Sequence, residues 1–250
     1  MNEVDKARNS LPGQPGGTLA GNNSLAADAG QQAAVFHPTY SAKQGDLTAL
    51  WYMVGADSEL GVAVVTADVR VVFANAAWTR LVGGEGFGPL LGEGLRRLLP
   101  PECLDEMLRM MDAARRQAAP APFRTIWSGM QLLTTFLHIP PSEGEDERYL
   151  IITRAMPGGI EQPQRDVTSA QFIRLGPLDI LSVQELKVLA LTGQGMSLKE
   201  IADVLGRSIK TIDNQRGSIA RKLRLHDRVK LAHVAWRAGL RLDDAERKRV

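Results

Sequence analysis

An α+β fold, with an antiparallel sheet and flanking helices followed by an all-α helical domain, is what this chain predicts, and three observations carry it. Between residues 61 and 155, β-branched and aromatic runs are broken by turns. Between residues 181 and 223 the apolar period changes to that of a helix, and each segment carries its own start and stop signals. The charge divides at nearly the same place. From Arg174 to Val250 there are 16 Lys and Arg against 9 Asp and Glu, a net +7, while the preceding residues hold 14 against 19, a net −5. The total of +2 therefore hides a basic C-terminal module joined to a mildly acidic one, and only the basic part attracts a polyanion.

Taken in chain order, residues 1–41 are rich in Gly, Pro, Asn, Gln and Ala, lack apolar periodicity and read as a disordered tail. Residues 42–156 form the next unit. Its leading segment places Leu47, Leu50, Trp51 and Val54 at helical spacing, a face that either pairs two subunits or packs on the chain's own sheet. Strands follow at 61–66 and 69–73, joined by a compact turn at Ala67-Asp68. Asn75 opens a helix through Ala76, Ala77, Trp78 and Leu81, and a second helix spans 101–117. Three more strands are expected at 123–128, 132–139 and 149–155, with an acidic turn at 144–147 before the last. Two strands, then helices, then three strands imply an antiparallel α+β sheet. Residues 157–176 begin as a Pro/Gly linker and are expected to become a short helix near 167–175.

In residues 177–250 the punctuation is explicit. Ser182 caps a helix and Glu185 completes a capping box, ahead of the stripe Leu186, Val188, Leu189 and Leu191. Thr192-Gly193-Gln194-Gly195 interrupts it, and Ser197 with Glu200 starts a second box. Gly206 ends that helix where a left-handed residue costs least, and Ser208 caps a third running to about 223. On this third helix Ile212, Ile219 and Leu223 share the core stripe, while Lys210, Asp213, Asn214, Gly217 and Arg221 share the other face. A helix about 10–12 Å across fits a major groove about 12 Å wide, where Asn and Arg read base edges by paired hydrogen bonds. Gly217 admits close backbone approach.

The opening Leu181-Ser182 with Glu185, Val188-Leu189, Gly195, Glu200-Ile201-Ala202, Ser208, Thr211-Ile212, and Ile219 ahead of Lys222-Leu223 together resemble the LuxR-type (FixJ/NarL-like) helix-turn-helix of bacterial regulators, over about 178–240. The resemblance implies a four-helix unit with a recognition helix at 208–223 and a last helix at about 227–238 that commonly pairs two subunits on an inverted repeat of double-stranded DNA. It implies groove-facing roles for Asp213, Asn214 and Gly217, with Arg221 on the same face. Lys210, Thr211, Arg216 and Lys222 would lie near phosphates, and Lys199 and Ser208 belong to the same DNA-binding set. Two positions depart from the pattern: Asp213 stands where many relatives carry a basic residue, and Gln215 replaces a frequent histidine. Asp213 either accepts from a cytosine amino group or serves as a charge on the helix N-terminal dipole.

Strand, turn, strand, Asn and helix across GVAVVTADVRVVFANAAWTRLVG, residues 61–83, resemble a PAS domain. That implies a sensory or dimerisation role for the N-terminal unit, through a small-molecule ligand or protein contact. Trp51, Trp78 and Trp127 either line a ligand pocket or are core. No cofactor, metal or catalytic residue is expected. Cys103 sits in Pro-Glu-Cys-Leu-Asp rather than in the Asn-Cys-Arg setting of a photoactive flavin, the helix at 101–117 has no histidine for heme, and His138 reads as a core or edge histidine.

One cysteine excludes an intramolecular disulfide framework and suits a reducing compartment. No apolar run approaches the about 20 residues that span a bilayer, so a cytoplasmic protein with no membrane partner is expected, nucleoid-associated when bound to DNA. A phosphorylatable receiver and an acyl-homoserine-lactone domain are disfavoured, since neither acidic pattern nor aromatic set is in place. These features predict a dimeric DNA-binding transcription regulator without enzymatic chemistry, with RNA polymerase as a possible contact. A sigma-factor-like polymerase subunit is the alternative.

Overall fold

The computed structural model describes residues 59–83, 92–141, 143–144, 146–159, 167–225 and 227–250. The expected tail at 1–41 and the leading helix with Trp51 lie outside the described residues.

Strands β1 (Leu60–Thr66) and β2 (Val71–Ala74) form a hairpin, followed by α1 (Ala76–Gly83) and α2 (Pro101–Gln117). Strands β3 (Ala121–Trp127), β4 (Met130–Ile139) and β5 (Arg148–Ala155) complete a sheet of order β2-β1-β5-β4-β3, antiparallel throughout. Asn75 holds the hairpin to α1. Its Oδ1 accepts from the amides of Val62 and Trp78, both at 2.9 Å, and its Nδ2 donates to the Leu60 carbonyl at 2.7 Å. One buried amide side chain thus satisfies both strand and helix N-terminus. Helix α2 lays Leu104, Met107, Met110, Met111 and Ala114 into the core against the sheet.

Strand bounds at two turns differ from expectation for backbone reasons. Strand β2 starts at Val71 because Val69 takes φ 61° in the turn, where its amide donates to Thr66 O at 2.9 Å. Strands β3 and β4 run up to a two-residue turn, since Ser128 (φ 51°) and Gly129 (φ 77°) both adopt the left-handed conformation that closes a tight hairpin.

The short helix expected near 167–175 is corrected by the structure. That segment instead forms two short strands, β6 (Thr168–Ser169), parallel to β3, and β7 (Phe172–Ile173), parallel to β8 (Lys248–Arg249) at the C-terminus. The free edge of β3 decides this: Arg124 O accepts from Ala170 N at 2.8 Å and Ile126 O from Arg174 N at 3.0 Å. Edge pairing overrides weak helical propensity.

Four helices follow, α3 (Val183–Gly193), α4 (Leu198–Leu205), α5 (Ile209–Lys222) and α6 (Arg228–Ala238). Their core contains Leu186, Leu189, Ile201, Ile212, Ile219 and Leu231, and it also takes in Ile126 from β3 with Ile173, Leu175 and Leu178 from the connecting segment. The helical unit therefore rests directly on the sheet. Buried across this junction, the Arg124 guanidinium donates to both Asp244 oxygens at 2.8 and 2.5 Å and to Gln131 Oε1 at 2.8 Å. Asp244 also accepts from Arg241 N at 2.7 Å and pairs with Arg247 at 3.1 Å.

Candidate nucleic-acid interface and sheet cavity

Each helix start in the C-terminal unit is fixed locally by the residue the sequence marks. Ser182 and Ser197 both form complete capping boxes, with Glu185 and Glu200 reaching back at 2.7 Å. Gly206 ends α4 at φ 60°, and Ser208 Oγ accepts from Thr211 N at 3.1 Å to start α5. Ile212 and Ile219 are buried, so the opposite face of α5 is turned outward.

On that face Lys210, Asp213, Asn214, Gly217 and Arg221 are all exposed, and the space about Gly217 is open. Ser208 and, on α4, Lys199 are exposed too. Thr211 is half-buried, its hydroxyl 2.8 Å from Ser208 Oγ. Arg216 is also half-buried, and it pairs with Asp213 at 2.6 Å, which partly neutralises the acid on the exposed face of α5. A mostly basic surface with one amide and one glycine can offer donors to phosphates and base edges.

Lys222 is placed differently. Its Nζ lies 2.6 Å from Glu185 Oε2 and 3.3 Å from the Ile180 carbonyl. Glu185, 6% exposed, also accepts from Ser218 Oγ at 2.8 Å. It thus caps α3 while tying the far end of α5 to it. Burial opposes its charge, yet the hydrogen bonds from Lys222, the Ser182 amide and Ser218 outweigh that and hold the carboxyl at about 2. The capping box is legible in sequence, but this second role is not, because it depends on residues 33 and 37 positions away.

Between the sheet and α1–α2 lies an apolar cavity of about 80 Å³ that opens to solvent. Trp78, Trp127, Phe123, Phe136, Cys103 and Glu106 are among its walls. Two of the three sequence-marked tryptophans are therefore brought together. Trp127 Nε1 donates to Val82 O at 2.8 Å, whereas Trp78 Nε1 is buried with no partner among the described residues. Burial, reinforced by Glu106 and Glu102, pushes the Cys103 thiol up to about 11, so it remains a thiol at neutral pH. His138 lies 2.8 Å from Glu147 Oε1 and against the Tyr149 ring. Glu106 was not singled out from sequence, although its spacing to Cys103 and Met110 sets a charge on the apolar face of α2.

A short-turned pair of capped helices presenting an exposed, mostly basic face, joined to a six-stranded sheet that is antiparallel except for its β6 edge, defines an α+β chain with a helix-turn-helix unit. The chain matches the bacterial regulatory proteins of the luxR family over residues 179–235 and the PAS fold over residues 56–157. It thus carries a LuxR-type DNA-binding domain behind a PAS domain. It is 30% identical over 94 residues to the response regulator UvrY of Escherichia coli K12 and to that of Shigella flexneri, which is 38% of this chain and 40% of each relative. The chain spans only 40% of the length of these curated relatives. Among solved structures it is similar to the Vibrio cholerae VqmA dimer in the absence of target DNA, with 17% identity, TM-score 0.40, and coverage of 81% of this chain and 93% of that one. It is similar as well to the VqmA–ligand–DNA complex, with 15% identity, TM-score 0.43, and coverage of 82% and 93%. No described helix is long and apolar enough to cross a membrane.

Proposed function

We propose that this regulator binds an inverted repeat of double-stranded DNA as a homodimer, each α5 entering a major groove, and that its PAS domain senses a small molecule or a protein partner. It works by binding rather than by covalent chemistry. The observation that carries the reading is the exposed face of α5, on which Asn214, Gly217, Lys210 and Arg221 lie together. Asn214 reads a base edge, and Lys210, Thr211, Arg216 and Arg221 meet backbone or base acceptors, with Lys199 and Ser208 at the flanking phosphates. Two half-sites about one helical turn apart follow from pairing two such helices. Regulation reaches the promoter through α5 placement, with polymerase as a possible further contact, in a cytoplasmic protein that is nucleoid-associated when bound.

The test is selection of bound sequences from a random duplex pool by the full chain at physiological salt. Enrichment of an inverted repeat is expected. Asn214→Ala then relaxes preference at one base pair with a loss of about 1–3 kcal/mol, while Lys210→Ala weakens all sequences alike and flattens the salt dependence by about one unit. Recovery of no sequence, together with co-purification of polymerase, would favour the sigma-factor-like alternative.

A further inference from the structure

The peptide group between Ala170 and Gln171 is held from two sides. Its N–H donates to Glu106 Oε1 at 2.6 Å, and its carbonyl accepts from Arg247 Nη1. Glu106 is a cavity wall, 5% exposed, on α2 of the PAS domain. Arg247 belongs to the C-terminal segment behind the DNA-binding helices and pairs with Asp244, which is in turn gripped by Arg124 of β3. One peptide unit therefore connects a buried carboxylate in the cavity with the ion-pair cluster at the junction of the two domains.

Among the described residues no Lys or Arg forms an ion pair with Glu106, which is 5% exposed in an aromatic-walled cavity and accepts one backbone donor, the Gln171 amide. A buried carboxylate in that condition is costly, and the cost is relieved by a bound cation or strong donor. The rings of Trp78, Phe123 and Phe136 add an apolar seat with π faces, while Trp127 already carries the Arg174 guanidinium 5.0 Å from its ring centroid. Resting on the reading of the PAS domain as a sensor, we propose that the cavity takes a small apolar amine whose ammonium group donates to Glu106, and that the Ala170–Gln171 peptide and Arg247 carry its occupancy to the DNA-binding domain. The ligand competes with the Gln171 amide for the same carboxylate. Weakening that bond loosens the strap 168–173, which pairs with β3 on one side and with β8 on the other. The junction, and with it the placement of α5, then changes.

The test uses the full chain and three probes of similar shape, toluene, benzyl alcohol and benzylamine. Binding is followed by quenching of tryptophan fluorescence, and DNA affinity by anisotropy on the selected duplex. Benzylamine is expected to bind at least tenfold more tightly than toluene and to change DNA affinity at least threefold. Glu106→Gln keeps an oxygen acceptor for Gln171 N–H but removes the charge, and the preference for benzylamine should fall below threefold. Arg247→Met should still bind benzylamine while its DNA affinity no longer responds. Equal binding of the three probes, an amine preference that persists in Glu106→Gln, or an unchanged response in Arg247→Met would overturn the proposal. Where a variant fails to fold by circular dichroism, the probe series on the unaltered chain still decides. Loss of the amine preference with intact DNA binding refutes this inference alone, whereas absence of any selected duplex refutes the DNA-binding reading.

Discussion

Glu185 binds α5 to the rest of its domain through charge, and so ties helix placement to pH. Its carboxyl is held at about 2 against an ordinary 4.5 by Lys222, Ser182 and Ser218. Because the folded value is the lower one, the stabilisation is complete above about pH 4.5 and is lost as pH falls toward about 2. At roughly 1.4 kcal/mol per pKa unit it is worth on the order of 3 kcal/mol. Glu185→Gln should therefore lower stability at pH 7 and flatten its decline below pH 4.5, as read by urea melts across pH. A variant with the same acid limb as the unaltered chain would show that the lysine pair contributes nothing. The same contact changes the meaning of Lys222. An ammonium 2.6 Å from a buried carboxylate is committed to the fold, so its loss removes α5 anchorage and stability as well as any phosphate contact. Asp213 is also engaged, by Arg216 at 2.6 Å, and the bond favours a role in shaping the basic face.

Helices, with their local rules, were the elements most fully written in the sequence. Both capping boxes, the left-handed Gly206 and the Ser208 cap depend on residues three or four apart, and each falls where the serine, glutamate or glycine marks it. Strands β1, β3, β4 and β5 were legible from β-branched runs. Thr168 to Ile173 was not, because nothing nearby in sequence announces that β3 and the C-terminus offer free edges 45 and 76 positions away. The exposed face of α5 followed from its period, whereas the partners of Lys222 and of Glu106 required the third dimension. Gly193 shows how an element boundary can also be a packing site. In sequence it breaks a helix, but in the fold it is the last residue of α3, lying where a Cβ would overlap the Ala235 carbonyl of α6. Gly193→Ala must push backbone rather than a flexible side chain, and an overpacking cost of about 1–3 kcal/mol is expected. Thermal melts of the two proteins check this. An unchanged or raised midpoint would mean that α6 gives way without cost.

At the scale of the whole molecule, the two domains are joined through a core and not through a tether. Ile126 of the sheet shares its packing with Leu189 and Ile201 of the helical unit, and the Arg124–Asp244 pair is 3% and 0% exposed. A linker of free Pro and Gly would let each domain unfold alone, whereas a shared interior with a desolvated ion pair makes the loss of one domain expose charge and apolar surface in the other. Residues 59–250 should then unfold in one cooperative transition, with tryptophan fluorescence, to which Trp78 and Trp127 of the sheet domain and Trp236 of α6 contribute, and helical circular dichroism falling together. Arg124→Met leaves Asp244 buried with Arg247 as its remaining cation, and a loss somewhat below the about 3–5 kcal/mol of a fully stranded charge is expected. Both probes should move to lower denaturant in step if the pair joins the two domains. If the fluorescence and dichroism midpoints separate in the unaltered chain, or if Arg124→Met shifts only the sheet signal, the domains are independent and regulation must pass between them by some route other than this junction.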